Sequence, residues 1–170
     1  MPSILFVCTG NQYRSPLAAA AFQRKLNLDG KARAWTVSSA GTWTPPGLPP
    51  FPDALRAAEG LGLSLAGHTT RPIDAQVLAE NNLIIVMTRG HKESILSEFP
   101  DAEHKVHLLS EVVDKRAYDI ADPADPGVEL AHVAQQLVEM IDRGYVEICR
   151  MGDKTIRRRR EHPRLPRAHP

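Results

Sequence analysis

Cys8 and Arg14 stand six positions apart in the run Val7-Cys8-Thr9-Gly10-Asn11-Gln12-Tyr13-Arg14-Ser15-Pro16. A thiol and a guanidinium at the two ends of a short loop suit a thiolate nucleophile working on a bound, phosphate-like oxyanion. If the loop curls around the anion, the consecutive backbone N–H groups of Thr9, Gly10, Asn11, Gln12, Tyr13, Arg14 and Ser15 point inward as a nest. A helix beginning near Ser15-Pro16 adds its N-terminal donors and the positive end of its dipole. Gly10 has no side chain to obstruct the turn, and Asn11 tolerates left-handed backbone angles. Pro16 suits a first helical turn, where its missing N–H costs nothing. Arg14 offers a planar fork to two non-bridging oxygens, which lysine does not reproduce. The same positive site favours the thiolate of Cys8, and the Ser15 hydroxyl is placed to donate to that thiolate and help it leave. A Walker-type nucleotide loop is excluded, because no Gly-Lys-Ser/Thr follows.

The elements that must position this loop alternate between strand and helix. Ile4 to Val7 reads as a first strand and Pro16 to Leu28 as a crossover helix. Ala34 to Ser38 reads as a second strand, and Asp53 to Leu61 as a second helix. Leu83-Ile84-Ile85-Val86-Met87 is a continuous apolar run, as expected for a strand buried on both faces. Thr88 caps a helix that reaches about Phe99, and Val106 to Leu109 reads as a fourth strand. Val133, Leu137, Ile141 and Ile148 mark the apolar stripe of a long final helix, from about Gly127 to Cys149. This alternation predicts an α/β fold: a parallel sheet flanked by helices on both faces, with the phosphate-binding loop after strand one. Ligands of such sheets bind beyond the carboxyl ends of the strands, where the cysteine loop lies. The proline-rich run Trp43 to Pro52 reads as a semi-rigid loop beside the same edge.

Composition bounds the rest. The chain has 170 residues with 42% hydrophobic, the size of one α/β domain. No apolar run approaches the ~20 residues of a membrane span, and no basic, apolar leader pattern opens the sequence. Two distant cysteines, Cys8 and Cys149, make no disulfide framework, so a reducing cytoplasm is expected. The net charge of +1 hides an asymmetry: residues 150–170 hold eight Lys/Arg and two Asp/Glu, a balance of +6, leaving 13 and 18, or −5, on residues 1–149. The expected organisation is therefore a domain over 1–149 and a basic, disordered tail over 150–170, the tail being a candidate contact for a polyanion. His104 and His107 lack a clustered partner, so no metal site is expected, and His68, before Thr69-Thr70-Arg71, reads as a structural hydrogen-bonding residue. Arg71 and Arg89 read as scaffold or rim charges.

Five runs carry a family resemblance: Cys8 to Pro16, Ser38-Ser39-Ala40-Gly41-Thr42, Gly67-His68-Thr69-Thr70-Arg71, Leu83 to Arg89, and Asp119-Ile120-Ala121-Asp122-Pro123. Over about residues 1–149 the chain resembles the low-molecular-weight protein tyrosine phosphatases. The resemblance implies a four-stranded parallel sheet, no metal or other cofactor, and a covalent phosphocysteine intermediate. The implied substrates are a protein carrying phosphotyrosine or a small phosphomonoester.

Displacing phosphate from an ester also needs a proton for the leaving oxygen. Asp125-Pro126-Gly127 has a structural reading, with Asp125 as N-cap and Pro126 as the first residue of the last helix. Asp122-Pro123 has no such role and matches the family's Asp-Pro loop, so Asp122 is expected as general acid and then base, with Asp125 the alternative. Two departures stand out. The family often carries a second cysteine in the loop, able to protect the nucleophile as a disulfide, where this chain has Tyr13; Cys8 is therefore expected to pass sulfenic acid readily under peroxide. The family often places an aromatic residue after the Asp-Pro pair, where this chain has Ala124, so Trp43, Phe51 or Tyr13 is the candidate aromatic wall, and Gln12, projecting from the loop, a further influence on substrate choice. Alternatives on the same loop are a phosphoarginine phosphatase and an arsenate reductase, the latter without the downstream cysteine pair of its thiol-cascade form. A non-enzymatic alternative is an oxyanion-binding regulatory module, which predicts loss of Cys8, Arg14 or the acid.

Overall fold

The computed structural model describes residues 1–161, and the side chains of residues 1–156. Four strands, β1 (Ser3–Cys8), β2 (Thr36–Gly41), β3 (Leu83–Val86) and β4 (Val106–Leu108), form one sheet in the order β2-β1-β3-β4. All three neighbouring pairs are parallel, with Cys8 opposite Gly41 and Val7 opposite Val86. Every residue of β1 and of β3 is buried, which is why both read as unbroken apolar runs rather than alternating ones.

Among the described residues six α-helices cover the sheet: α1 (Arg14–Leu28), α2 (Pro52–Gly60), α3 (Ala75–Glu80), α4 (Arg89–Glu98), α5 (Leu109–Asp114) and α6 (Leu130–Glu161). Ile4 and Phe6 point to one face, where they meet residues of α1, α2, α5 and α6. Leu5 and Val7 point to the other, against α3, α4 and the short 3-10 turn after it. The alternation of side chains along one strand thus feeds two separate cores. Phe22 joins Phe6, Trp35 and Tyr145, with ring centroids 5.5–5.9 Å apart.

Several boundaries differ from the sequence reading. The second strand starts later than expected because residues 32–34 form a 3-10 turn and Trp35 turns inward. The fourth strand ends at Leu108, since Leu109 already begins α5. Helices α3 and α5 were not expected; at six residues each they are too short to show a helical period. The final helix begins at Leu130, not near Gly127, so Asp125 is not its N-cap and Pro126 is not its first residue. Gly127 has φ +78°, and Asp125 to Val128 is a turn closed by Val128 N–H on the Asp125 carbonyl. At the other end α6 runs past Cys149 to Glu161. Gly152 is buried there against Trp35, so close that a Cβ would lie 2.3 Å from the indole ring. The expected boundary after residue 149 therefore falls inside a helix still packed on the domain. The remainder of the expected tail, residues 162–170, lies outside the described residues. Among the described residues no helix is long and apolar enough to cross a membrane.

Candidate active site

The chain runs from β1 outward to β2 on one side and returns to β3 on the other. Connections leaving β1 and β3 therefore diverge, and the crevice between their carboxyl ends is the place where an open α/β sheet holds its ligand. Cys8 is the last residue of β1, and the loop Thr9–Tyr13 fills that crevice before α1 begins at Arg14.

Asn11 is the frame of the loop. It is fully buried with φ 55°, a left-handed conformation that Asn adopts at low cost. Its Nδ2 donates to Ser15 Oγ at 2.8 Å and to Ser39 Oγ at 2.9 Å. Its Oδ1 accepts from Arg71 N–H at 2.9 Å, and its carbonyl accepts from His68 Nε2 at 2.8 Å. Ser15 Oγ thus has one lone pair taken by Asn11, and its hydroxyl lies 3.0 Å from Cys8 Sγ and, at a longer 3.5 Å, from the Ala40 carbonyl. His68 and Arg71, expected as structural groups, both serve this frame. Gly41 at the end of β2 presses on the loop: a Cβ there would lie 2.5 Å from the Thr9 carbonyl oxygen. Among the described residues no hydrogen bond engages the backbone N–H groups of Gly10 to Tyr13, which leaves them as donors for an anion.

Arg14, 3% exposed, donates from Nη1 to the Ile120 carbonyl at 3.0 Å and from Nη2 to Asp122 Oδ2 at 2.7 Å. The 119–122 segment is held from β3, with Ile120 N–H bonded to the Met87 carbonyl at 3.0 Å. Asp122 Oδ1 accepts from Ala124 N–H at 2.9 Å, an Asx-type turn that fixes the carboxylate. Arg14 and Asp122, far apart in the chain, thus meet at the end of the loop that follows Cys8. Asp125 instead sits in the turn that follows, where its backbone N–H donates to the Asp122 carbonyl at 3.0 Å and its carbonyl accepts from Val128 N–H. At the rim Asp119 accepts from the backbone N–H and the Nε of Arg89, and these bonds hold its carboxyl below the usual range.

The proline-rich loop lies against the cysteine loop, as expected: Trp43 N–H donates to the Thr9 carbonyl at 3.1 Å, and Phe51 N–H to the Gln12 carbonyl at 3.1 Å. Gln12 is tied to it by a 2.8 Å bond from Nε2 to the Pro49 carbonyl. Trp43 is 84% exposed and Phe51 about half exposed. Tyr13 is no part of an aromatic wall: it is buried, and its hydroxyl donates to the Leu130 carbonyl at 2.6 Å, facing the start of α6.

His91, which the sequence reading passed over, also reaches the loop. It is the third residue of α4 and buried. Its Nε2 lies 2.8 Å from Thr9 Oγ1. Burial, and next the charge of Arg14, push its pKa down to about 4. Its signal was the spacing Thr88-x-x-His91, a capping box with an imidazole at the third helical position. Cys149, half-buried on α6, is a free cysteine like Cys8, and burial raises its thiol. Among the described residues no group of three or more His, Cys, Asp or Glu side chains is arranged to hold a metal ion.

Comparison with known proteins bears on what this arrangement does. Residues 3–158 match the family model described as low molecular weight phosphotyrosine protein phosphatase. The chain is 35% identical to a protein-arginine-phosphatase of Geobacillus stearothermophilus, over 82% of this chain and 91% of that protein. It is 34% identical to a putative low molecular weight protein-tyrosine-phosphatase of Klebsiella pneumoniae, over 81% and 90% of the two chains. A crystal structure of a YwlE mutant from Bacillus subtilis superposes with a TM-score of 0.79 at 29% identity, covering 88% of this chain and 99% of that one.

Proposed function

The chain belongs to the low molecular weight phosphotyrosine protein phosphatase family, and from that premise we propose that it is a phosphomonoesterase of the protein tyrosine phosphatase type, working through a phosphocysteine on Cys8. The observation that carries this reading is the Arg14–Asp122 contact of 2.7 Å at the far end of an anion loop that begins at Cys8. The non-enzymatic reading required one of these three residues to be missing.

In the first step the Cys8 thiolate attacks phosphorus, an S–P bond forms and the bond to the leaving oxygen breaks. Asp122, protonated, delivers its proton to that oxygen. Arg14 and the loop N–H groups hold the non-bridging oxygens, which gather charge as the reaction proceeds. In the second step Asp122, now a carboxylate, takes a proton from a water that attacks phosphorus. The S–P bond breaks, phosphate leaves, and the Ser15 hydroxyl, oriented by Asn11, stabilises the returning thiolate. No metal enters this scheme.

Phosphotyrosine on a protein is the first substrate class, with the exposed Trp43 as its substrate wall. Phosphoarginine is the second reading: the Geobacillus relative carries that activity in its name, and Ala124 leaves the position after Asp122-Pro123 without an aromatic ring. A reducing cytoplasm suits the unpaired Cys8, and the basic C-terminal segment is proposed to contact a polyanion. Salt-sensitive retention on heparin that disappears on removing residues 154–170 is the expected result for that segment. The test of the activity is steady-state hydrolysis of p-nitrophenyl phosphate, a phosphotyrosine peptide and a phosphoarginine peptide. Hydrolysis of an aryl phosphate is expected, and inactivity toward all three refutes the proposal.

A further inference from the structure

Thr88 and His91 close a reciprocal cap on α4. His91 N–H donates to Thr88 Oγ1 at 3.1 Å, and Thr88 N–H donates to His91 Nδ1 at 3.1 Å. A backbone N–H has no acceptor capacity, so Nδ1 is the acceptor nitrogen and the ring proton resides on Nε2. That Nε2–H points at Thr9 Oγ1 across 2.8 Å. The bond joins the helix after β3 to the residue that follows Cys8, across the crevice between the two strands. Thr9 Oγ1 accepts from His91, so the single proton of the threonine hydroxyl remains to be donated elsewhere.

Resting on the phosphatase reading of the same site, we propose that His91 is a positioning residue: its Nε2–H fixes Thr9 so that the threonine hydroxyl joins the loop N–H groups as a donor to the bound oxyanion. The electrostatics agree with the geometry. The charged groups acting on the imidazole are Arg14, which opposes protonation, and Asp119 and Asp122, which favour it. Burial outweighs the two carboxylates. A protonated imidazole would also place Nδ1–H against Thr88 N–H and break the cap. The ring therefore supplies a fixed donor direction beside Arg14 without adding a second cation that would repel it.

His91→Asn separates this role from a structural one. The shorter amide keeps an oxygen for Thr88 N–H but does not span the distance to Thr9. Three measurements on the full chain decide the matter. In nitrogen-detected NMR, His91 is expected as the Nε2–H tautomer at pH 7, without titration above pH 5 or so; an Nδ1–H tautomer overturns the proposal. In phosphate titrations, His91→Asn and Thr9→Val are each expected to weaken inorganic phosphate binding about five- to tenfold. Their combination should be no worse than either alone, because the two residues act as one unit. Unchanged phosphate affinity in His91→Asn, or full additivity, overturns it. Thermal unfolding of His91→Asn within a few degrees of wild type supports the separation, and a global loss of folded protein in both His91→Asn and Thr9→Val assigns the contact to stability and overturns the positioning role. None of these readouts requires turnover, so a chain that binds phosphate this way yet hydrolyses nothing refutes the phosphatase reading and leaves this one standing.

Discussion

Arg14 Nη2 lies 2.7 Å from Asp122 Oδ2, so the guanidinium assigned to clamp phosphate and the carboxylate assigned to supply the proton are a contacting pair. Arg14 is nearly buried, whereas the Asp122 side chain is 37% exposed. The carboxylate is thus the partner able to turn outward, toward a leaving group, while the guanidinium stays in place. Its second oxygen is held by Ala124 N–H, which limits how far it swings. On the proposed mechanism an incoming phosphate dianion is expected to compete with Asp122 for the same fork.

This competition gives Asp122→Asn a double signature. Loss of the acid is expected to lower turnover of an ester by about 10²–10⁴-fold. Removing the negative charge beside Arg14 is expected to leave inorganic phosphate binding as tight as in wild type, or tighter. Asp125→Asn, outside the Arg14 contact, should stay within about twofold of wild type in both. Phosphate inhibition constants and turnover numbers measured side by side check this. Normal turnover in Asp122→Asn with a dead Asp125→Asn reverses the assignment.

Arg14→Lys keeps the charge but loses the fork that bonds Ile120 and Asp122 at once. The expected cost is about 10²–10³-fold in kcat/KM, the scale of losing one transition-state donor. A lysine variant near wild-type activity would show that the fork is not used.

Tyr13 is predicted to matter for stability and little for catalysis. Tyr13→Phe leaves the Leu130 carbonyl without its 2.6 Å donor at the start of α6. The expected cost is about 1–3 kcal/mol, or roughly 2–4 °C in melting temperature per kcal/mol for a chain of this size. Activity toward an aryl phosphate should change less than about threefold. A tenfold rise in KM with unchanged melting would place the ring in the substrate site instead.

The buried imidazole of His91 makes stability depend on pH. Its folded pKa, about 4, lies below the 6.5 of the unfolded chain. Between these values the unfolded state binds more protons, so stability falls as pH is lowered through that window and is fully present above it. The effect is on the order of 3 kcal/mol. His107, also lowered by burial, acts in the same direction. Urea unfolding at pH 7 and pH 5 should show the loss, with a visibly smaller difference in His91→Asn.

Peroxide is expected to inactivate the protein without recovery. Tyr13 stands where a second loop cysteine would offer a disulfide, and Cys149 sits on α6, away from the cysteine loop. Nothing in the loop intercepts a Cys8 sulfenic acid before further oxidation. Full return of activity with a dithiol after prolonged peroxide exposure would contradict this.

What the sequence disclosed followed from scale. Buried strands of the β1 and β3 kind announce themselves as apolar runs, and the Cys8–Pro16 loop is contiguous, so the chemistry proposed for it rests on types and spacing alone. The contacts that complete the site are not contiguous. Arg14 and Asp122 are 108 positions apart, and Thr9 and His91 are 82 apart. Such pairs exist only once the crossovers bring β1 and β3 together. Thr88 was legible as a cap, whereas the second bond of its partner His91 was not, because nothing local says what a third-position side chain meets across the crevice. The extent of α6 was hidden for the same reason: the basic composition after Cys149 reads as tail, and only the fold packs Gly152 against Trp35.

The central claim is that Cys8 receives the phosphoryl group, and hydrolysis of p-nitrophenyl phosphate by wild type and Cys8→Ser tests it most directly. The account predicts turnover in wild type and none measurable in Cys8→Ser, with the variant still binding inorganic phosphate. Turnover by Cys8→Ser comparable to wild type, or none by either protein, would contradict it.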